Sequence, residues 1–356
     1  MDASVRPAHA SGPIDDVSIV VVNWNGGPLL RTCVAAAVEA ARDVIVVDNE
    51  STDGSAETLA EAFPTVRLLQ PGRNLGFAGG VNLGVSAARH DAVLLLNPDA
   101  VATADAVTRL RDTLIATPRA GAVGGCLVGG DGRPQRGFVL RRFPTLGSWA
   151  TDLLLIDDVW PSNPVRLRYL AADVPLDGDA PRDVEQPAAA CLMVSKAALS
   201  RIGGLDERFH PAWFEDVDLC RRLVAGGFLV LYEPRARVTH AGGVSLRSLP
   251  RTAFARIWYG NLRRYARRHH GGATNLALRG LIVVGMVLRL GVALLRRDTT
   301  ARSAWLAVLR DTLRNSAPDR EGDSFENRNN DSSRSRNGDS SGNGDSRAVS
   351  GVTDRR

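Results

Sequence analysis

The 356-residue chain is poor in the residues that staple or ligate. Its four cysteines, Cys33, Cys126, Cys191 and Cys220, are far apart and include no C-x-x-C pair. A cysteine zinc site and a disulfide framework are therefore not expected, and reduced thiols in a cytosolic compartment fit better. Lysine is almost missing: Lys196 stands alone in Ser195-Lys196-Ala197, without the glycine frame of a Walker phosphate loop. The first sixteen residues lack the apolar run of a signal peptide, so export is disfavoured. No G-x-G-x-x-G follows the first apolar run, where the only glycines are Gly26 and Gly27. Gly76-Phe77-Ala78-Gly79-Gly80 comes after the third run instead, so a dinucleotide dehydrogenase fails on position.

What is present is apolar enough, at 44% hydrophobic, to bury a large core in one large α/β unit with appendages or in two domains. The net charge of +5 hides an asymmetry: residues 247–310 hold 13 arginines and one acid, Asp298. Such a segment is expected to meet an anionic surface. Phospholipid headgroups suit it better than nucleic acid, because no nucleic-acid motif is visible and no stacking aromatics are interleaved with the arginines. Residues 276–295 are long enough to span a bilayer, but Arg279 and Arg289 interrupt them. With Arg296 and Arg297 these fall within an arc of about 100° on a helical wheel. The pattern predicts a helix lying in the membrane interface with its arginines snorkelling to headgroups; a buried domain helix stays open. From residue 316 the chain is rich in Asn, Ser, Gly, Asp and Arg and is expected to be disordered.

Along the body, short β-branched runs alternate with helical ones. Strands are predicted at 17–22, 44–47, 66–69, 92–96 and 228–231, and helices at 28–41, from 51–55 to about 63, and at 78–88. This alternation predicts an α/β fold with a mostly parallel sheet covered by helices on both faces. Ligands of such sheets bind beyond the carboxyl ends of the strands. Asn23, Asp48 and Asp99 each follow such an end, so three polar residues from separate strands converge on one crevice. Each alone is equally well a turn residue.

A second cluster is GLDERFHPAWFEDVDLCRR, residues 203–222 without its first glycine. On a wheel starting near Glu215, Asp216 falls inside the apolar stripe of Val217, Leu219, Cys220, Leu223 and Val224. Glu215 and Asp218 fall on the polar side, where Asp218 and Arg222 make an i,i+4 surface ion pair. A carboxylate in an apolar wall either caps the helix start or lines a cleft, where desolvation raises its pKa toward that of a general base. The cleft is the preferred reading. His240, flanked by Thr239 and Ala241-Gly242-Gly243 after the last strand, is a candidate metal or phosphate contact.

Six segments in order, VSIVVVNWNG, VIVVDNESTDGS, RNLGFAGGVNLG, LLLNPDA, GGLDERFHPAWFEDVDLCRR and VTHAGGVS, resemble the inverting family 2 glycosyltransferases of GT-A fold. Within them the chain looks most like bacterial rhamnosyltransferases of cell-wall and surface-polysaccharide assembly, over residues 17–270. The resemblance implies a nucleotide-sugar site at Val22, Asn23, Asn25, Asp48, Asn74, Gly76, Asn97 and Asp99. It implies that Asp99 binds a divalent cation, Mg²⁺ or Mn²⁺, on the diphosphate; His240, read above from its flanking residues, is the further candidate for the metal. Asn97 stands where the family's Asp-x-Asp element has its first acid, a departure that bears on metal dependence. Asp216 corresponds to the catalytic base, with Trp213, Phe214 and Glu215 on the acceptor side. The implied reaction moves L-rhamnose from dTDP-L-rhamnose to a lipid-linked saccharide at the cytoplasmic face of the membrane. A UDP- or GDP-sugar donor and a non-catalytic nucleotide-sugar-binding scaffold remain open. The expected organisation is a flexible N-terminus (1–15), a GT-A domain (16–246), a basic membrane-associating helical segment (247–315) and a disordered tail (316–356).

Overall fold

The computed structural model describes residues 12–242 and 249–314; the tail expected from residue 316, residues 1–11 of the expected flexible N-terminus, and Arg247 lie outside them. The amino-terminal half alternates as its apolar runs demand. The chain runs β1 (Ile14–Asn23), α1 (Gly27–Ala40), β2 (Ala41–Asp48), α2 (Ser55–Ala62), β3 (Arg67–Leu69), α3 (Gly76–Ala87), β4 (Ala92–Leu96), β5 (Ala100–Ala102), α4 (Ala104–Ala116) and β6 (Ala120–Val128). An irregular stretch follows, with β7 (Leu140–Arg141), α5 (Leu146–Leu153), α6 (Ile156–Val159), α7 (Pro164–Tyr169), β8 (Arg182–Asp183) and β9 (Gln186–Pro187). The chain then returns to the sheet through β10 (Cys191–Ser195), α8 (Lys196–Ile202), α9 (Glu215–Ala225) and β11 (Leu229–His240). Three helices close it: α10 (Arg251–His269), α11 (Gly272–Leu295) and α12 (Thr299–Leu313).

The main sheet has the order β3-β2-β1-β4-β10-β6-β11-β5, with β8 also on β11. Strands β3, β2, β1 and β4 are parallel, β6 and β11 are parallel, and β10 runs against both its neighbours. Alternation along β1 sends Val17, Ile19 and Val21 into the core under α1 and α4, and Val20 and Val22 into the core under α3, α8 and α9. Both faces are thus buried, as continuous apolar strands require. Because β1 lies between β2 and β4, the connections diverge from it and open a crevice at its carboxyl end.

A third core joins Trp149 and Leu153 of α5 to Tyr259, Tyr265, Ile282, Met286 and Val308 of the last three helices. Here the structure corrects two expectations. On α9, Glu215 and Asp218 are buried, not solvated, because α10 covers the side that the wheel made polar. Asp218 does pair with Arg222 at 2.7 Å, but it also receives His269 Nε2 at 2.7 Å and Arg268 Nε at 3.2 Å from α10. On α11, Arg279 and Arg289 do not point outward. Arg279 donates to the Leu313 carbonyl, and Arg289 to the carbonyls of Leu153 and Asp152. The face left exposed is wholly apolar, with Leu276, Val284, Val287, Leu288 and Leu295 along it. By length and composition α11 is the one helix among the described residues that could cross a membrane, though its other face packs on α5 and α12.

Candidate active site

At the carboxyl ends of β1 and β4 the structure opens a cavity of about 280 Å³. It gathers expected residues from six places: Val22 of β1, Asn74 and Gly76 before α3, Asn97 and Asp99 after β4, Trp213 and Phe214 before α9, Glu215 and Asp216 within it, and His240 at the end of β11. Asn23, Asn25 and Asp48 are not in its lining. They form a buried clamp next to it, in which Asn23 Nδ2 donates to Asp48 Oδ1 (2.9 Å), Ser51 Oγ (3.0 Å) and Ser55 Oγ (2.9 Å). Asn25 Oδ1 accepts the Thr52 amide at 2.8 Å. Strand ends rich in unpaired backbone use such side chains to hold loops. Trp24 and Asn49, their chain neighbours, do face the cavity.

On one wall, His240 Nε2 lies 3.4 Å from Asp99 Oδ1. His240 closes β11, which runs nine residues past the expected strand: Pro234 sits in a register shift between Glu233 and Arg237, where the ladder tolerates a missing donor. Its ring stacks on Phe138 at 5.1 Å, and its Nδ1 meets Gln135 Oε1 at 2.9 Å. Nε2 is buried and has no hydrogen-bond partner, an orphan that calls for a ligand. Burial raises the Asp99 pKa, but the adjacent His240 and the backbone amides of Asp99 and Gly242 outweigh it, so the carboxyl lies below its ordinary value. An ionised carboxylate beside an unpartnered imidazole nitrogen suits a divalent cation, with the remaining ligands from substrate oxygens. Among the described residues no group of three His, Cys, Asp or Glu side chains is placed to hold a metal alone.

On the opposite wall stands Asp216. Its Oδ2 accepts Gln186 Nε2 at 2.9 Å, and its Oδ1 accepts the Val217 amide at 2.8 Å. Burial raises its pKa, and the Val217 amide, the Arg141 charge and the Gln186 bond only partly offset that. Glu215 is raised further, by burial and by the neighbouring Asp216 charge, and its Oε2 has no hydrogen-bond partner. The entry to α9 is strained: Trp213 (φ 75°) and Phe214 (φ 72°) are both left-handed. Packing holds them there, Trp213 against Phe254 and Phe214 against Trp258 and Tyr265.

Sequence reasoning missed Gln186, Arg141, Tyr169, Phe138 and Gln135. All lie in the stretch from β6 to β10, where short elements carry no periodicity, and no local signal marks them. Trp258, also missed, sits on α10 within a helical pattern that reads equally well as core.

A nucleotide-sized crevice at the switch point, an acid–imidazole pair on one wall and a carboxylate raised by burial on the other define a GT-A glycosyltransferase. Residues 18–174 match the family model described as Glycosyl transferase family 2. The chain is 33% identical over 240 residues to the N-acetylglucosaminyl-diphospho-decaprenol L-rhamnosyltransferase of Mycobacterium tuberculosis (strain ATCC 25618 / H37Rv), covering 64% of this chain and 76% of that protein. It is 28% identical over 298 residues to the pre-mycofactocin glycosyltransferase of the same strain, covering 81% of this chain and 56% of that one. Among solved structures, GalNAc-T7 with UDP, GalNAc and Mn²⁺ superposes with a TM-score of 0.50 at 13% identity, over 71% of this chain and 47% of that one. That likeness speaks for the fold. The chain belongs to glycosyl transferase family 2.

Proposed function

We propose that the protein transfers L-rhamnose from dTDP-L-rhamnose to a hydroxyl of a polyprenyl-diphosphate-linked saccharide, with inversion, at the cytoplasmic membrane face. The observation that carries it is the placing of Asp216 across one cavity from Asp99 and His240. The rhamnosyltransferase relative supports the choice of donor and acceptor.

Asp216 takes the proton of the acceptor hydroxyl as that oxygen bonds to the anomeric carbon and the carbon–oxygen bond to the nucleoside diphosphate breaks. Gln186 donates to Oδ2, which orients the carboxylate, and the Val217 amide and the Arg141 charge partly offset the rise in its pKa that burial causes. Asp99 and His240 would hold Mg²⁺ or Mn²⁺, which when bound neutralises charge on the diphosphate. Asn74, Gly76 and Asn97 line the donor side, and Trp213, Phe214 and Glu215 wall the acceptor side. The apolar face of α11 lies on the membrane that carries the acceptor, with Arg296 and Arg297 at its end near anionic headgroups.

The test is nucleoside diphosphate release from dTDP-rhamnose, UDP- and GDP-sugars, with Mg²⁺ or Mn²⁺, with and without a short-chain polyprenyl diphosphate GlcNAc. Acceptor-dependent release from dTDP-rhamnose alone is expected. Release from another donor would overturn the rhamnose assignment, and nucleotide binding without turnover would remove this acceptor.

A further inference from the structure

A second cavity, of about 380 Å³, adjoins the first; Arg142, Phe143, Ser148, Val165, Arg168 and Tyr169 line it. Tyr169 lines both, so the two meet across one phenol ring. The adjacent residues Arg141 and Arg142 face different cavities, Arg141 the one that holds Asp216. The groove therefore continues the acceptor side of the site.

Its lining joins cationic to apolar side chains. Arg142 Nη2 donates to Asp173 Oδ2 at 2.6 Å, and its Nε lies 3.9 Å from Glu185, so its charge is partly balanced. Arg168 is exposed, and its guanidinium has no hydrogen bond or ion pair within 4 Å among the described residues; Asp173 feels its field. Phe143, Pro164 and Val165 supply the apolar part. The helices beside it expose apolar side chains: Val165 and Leu167 of α7 are more than a third exposed, and Val159 and Trp160 at the end of α6 more than half. Behind the groove, α5 leads to α11, where the Leu153 carbonyl would lie 2.6 Å from a Cβ at Gly285. The cavity that holds Asp216 thus shares Tyr169 with a groove that carries two guanidinium groups over apolar side chains.

We infer that this groove binds the diphosphate of the acceptor, with Arg168 its main contact and Arg142 its second, and that the prenyl chain leaves over Val165, Leu167 and Trp160. The inference rests on the lipid-linked acceptor proposed above. A saccharide joined to a lipid through a diphosphate presents the chemistry these neighbouring features would take: a sugar beside Asp216, an anion for the guanidinium groups and a chain for the exposed apolar side chains. Guanidinium forks grip phosphate oxygens in pairs, and a free one beside an apolar path is suited to that junction.

The test compares wild type, R168E and R168K on a micellar short-chain polyprenyl diphosphate GlcNAc, with dTDP affinity measured by calorimetry. The acceptor KM should rise about tenfold or more in R168E, as expected for loss of a charge-assisted contact. R168K, which keeps the charge but loses the fork, should fall between wild type and R168E, and the dTDP Kd of R168E should stay within about twofold, since only the acceptor contact is altered. An unchanged acceptor KM in R168E, with wild type active, overturns the groove alone. A dTDP Kd that rises in step assigns Arg168 to the donor diphosphate and overturns it too. An effect seen only in anionic phosphatidylglycerol vesicles, and not in micelles, would make Arg168 a phospholipid contact. Wild type inactive with every diphosphate acceptor removes the lipid-linked reading and the groove with it.

Discussion

At the scale of single residues, two neighbouring carboxyls have been given different tasks by their surroundings. Asp216 opens on the cavity and is oriented by Gln186; Glu215 is buried with an oxygen left without a partner. Asp216→Asn should lower kcat by about 10²–10⁴, the usual contribution of a general base, while dTDP binds within a few-fold. Because burial raises the Asp216 pKa, the acidic limb of the kcat profile should rise through a pKa above that of an ordinary aspartate. Glu215→Gln tests the other role. The folded pKa of Glu215 lies well above 4.5, so the folded state holds its proton more tightly than the unfolded one. Its penalty is absent below pH 4.5 and grows as pH rises through the folded pKa. The variant should therefore be more stable than wild type at pH 7.5, on the order of 1–3 kcal/mol for a buried polar group relieved of its strain, and equal to it near pH 4. Thermal melts at the two pH values check this.

At the scale of elements, the strands and helices of the amino-terminal half were legible because apolar period and turn chemistry agree there. Strand β4 begins and ends where its apolar run does, at Ala92 and Leu96. β11 was read too short because Pro234 interrupts a strand that in fact resumes beyond a bulge. The start of α9 depends on α10: Trp258 packs on Phe214, and both Trp213 and Phe214 hold positive φ. Trp258→Ala should cost about 10–100-fold in kcat by letting Asp216 drift, with the donor Kd unchanged, as steady-state kinetics and calorimetry would show. Gly76 opens α3 at φ +71°, where a Cβ would lie 2.7 Å from His210 Cδ2 and 2.9 Å from the Pro211 carbonyl. Gly76→Ala should destabilise on the order of 2–4 kcal/mol, from overpacking together with left-handed strain, read by urea denaturation.

At the scale of the whole molecule, the basic carboxyl-terminal helices hold the bundle together. Their arginines knit the bundle: Arg289 ties α11 to α5, and Arg268 and His269 tie α10 to Asp218 of α9. The face turned outward on α11 is an unbroken apolar stripe, as expected for a helix resting on lipid. Val284 and Val287 are about half exposed, so a charge at both should leave the fold intact. The Val284→Glu, Val287→Glu double variant should lose flotation with phosphatidylglycerol vesicles while its thermal midpoint stays within a few degrees. Unchanged flotation would remove α11 from the membrane contact.

The alternating α/β sheet and the polar residues that close its strands could be read from the chain alone. Each of these is local: a period or a turn signal that short-range geometry dictates. Which polar residues face the cavity and which brace it depends on how distant segments pack. Asn23 and Asp48 turned inward to each other, while Gln186, Arg141 and Tyr169 arrived from a stretch with no periodicity. The packing also decided that the face of α9 carrying Asp218 is buried and that the arginines of α11 point inward, since a wheel knows the chemistry of one helix and nothing of the neighbour that covers it.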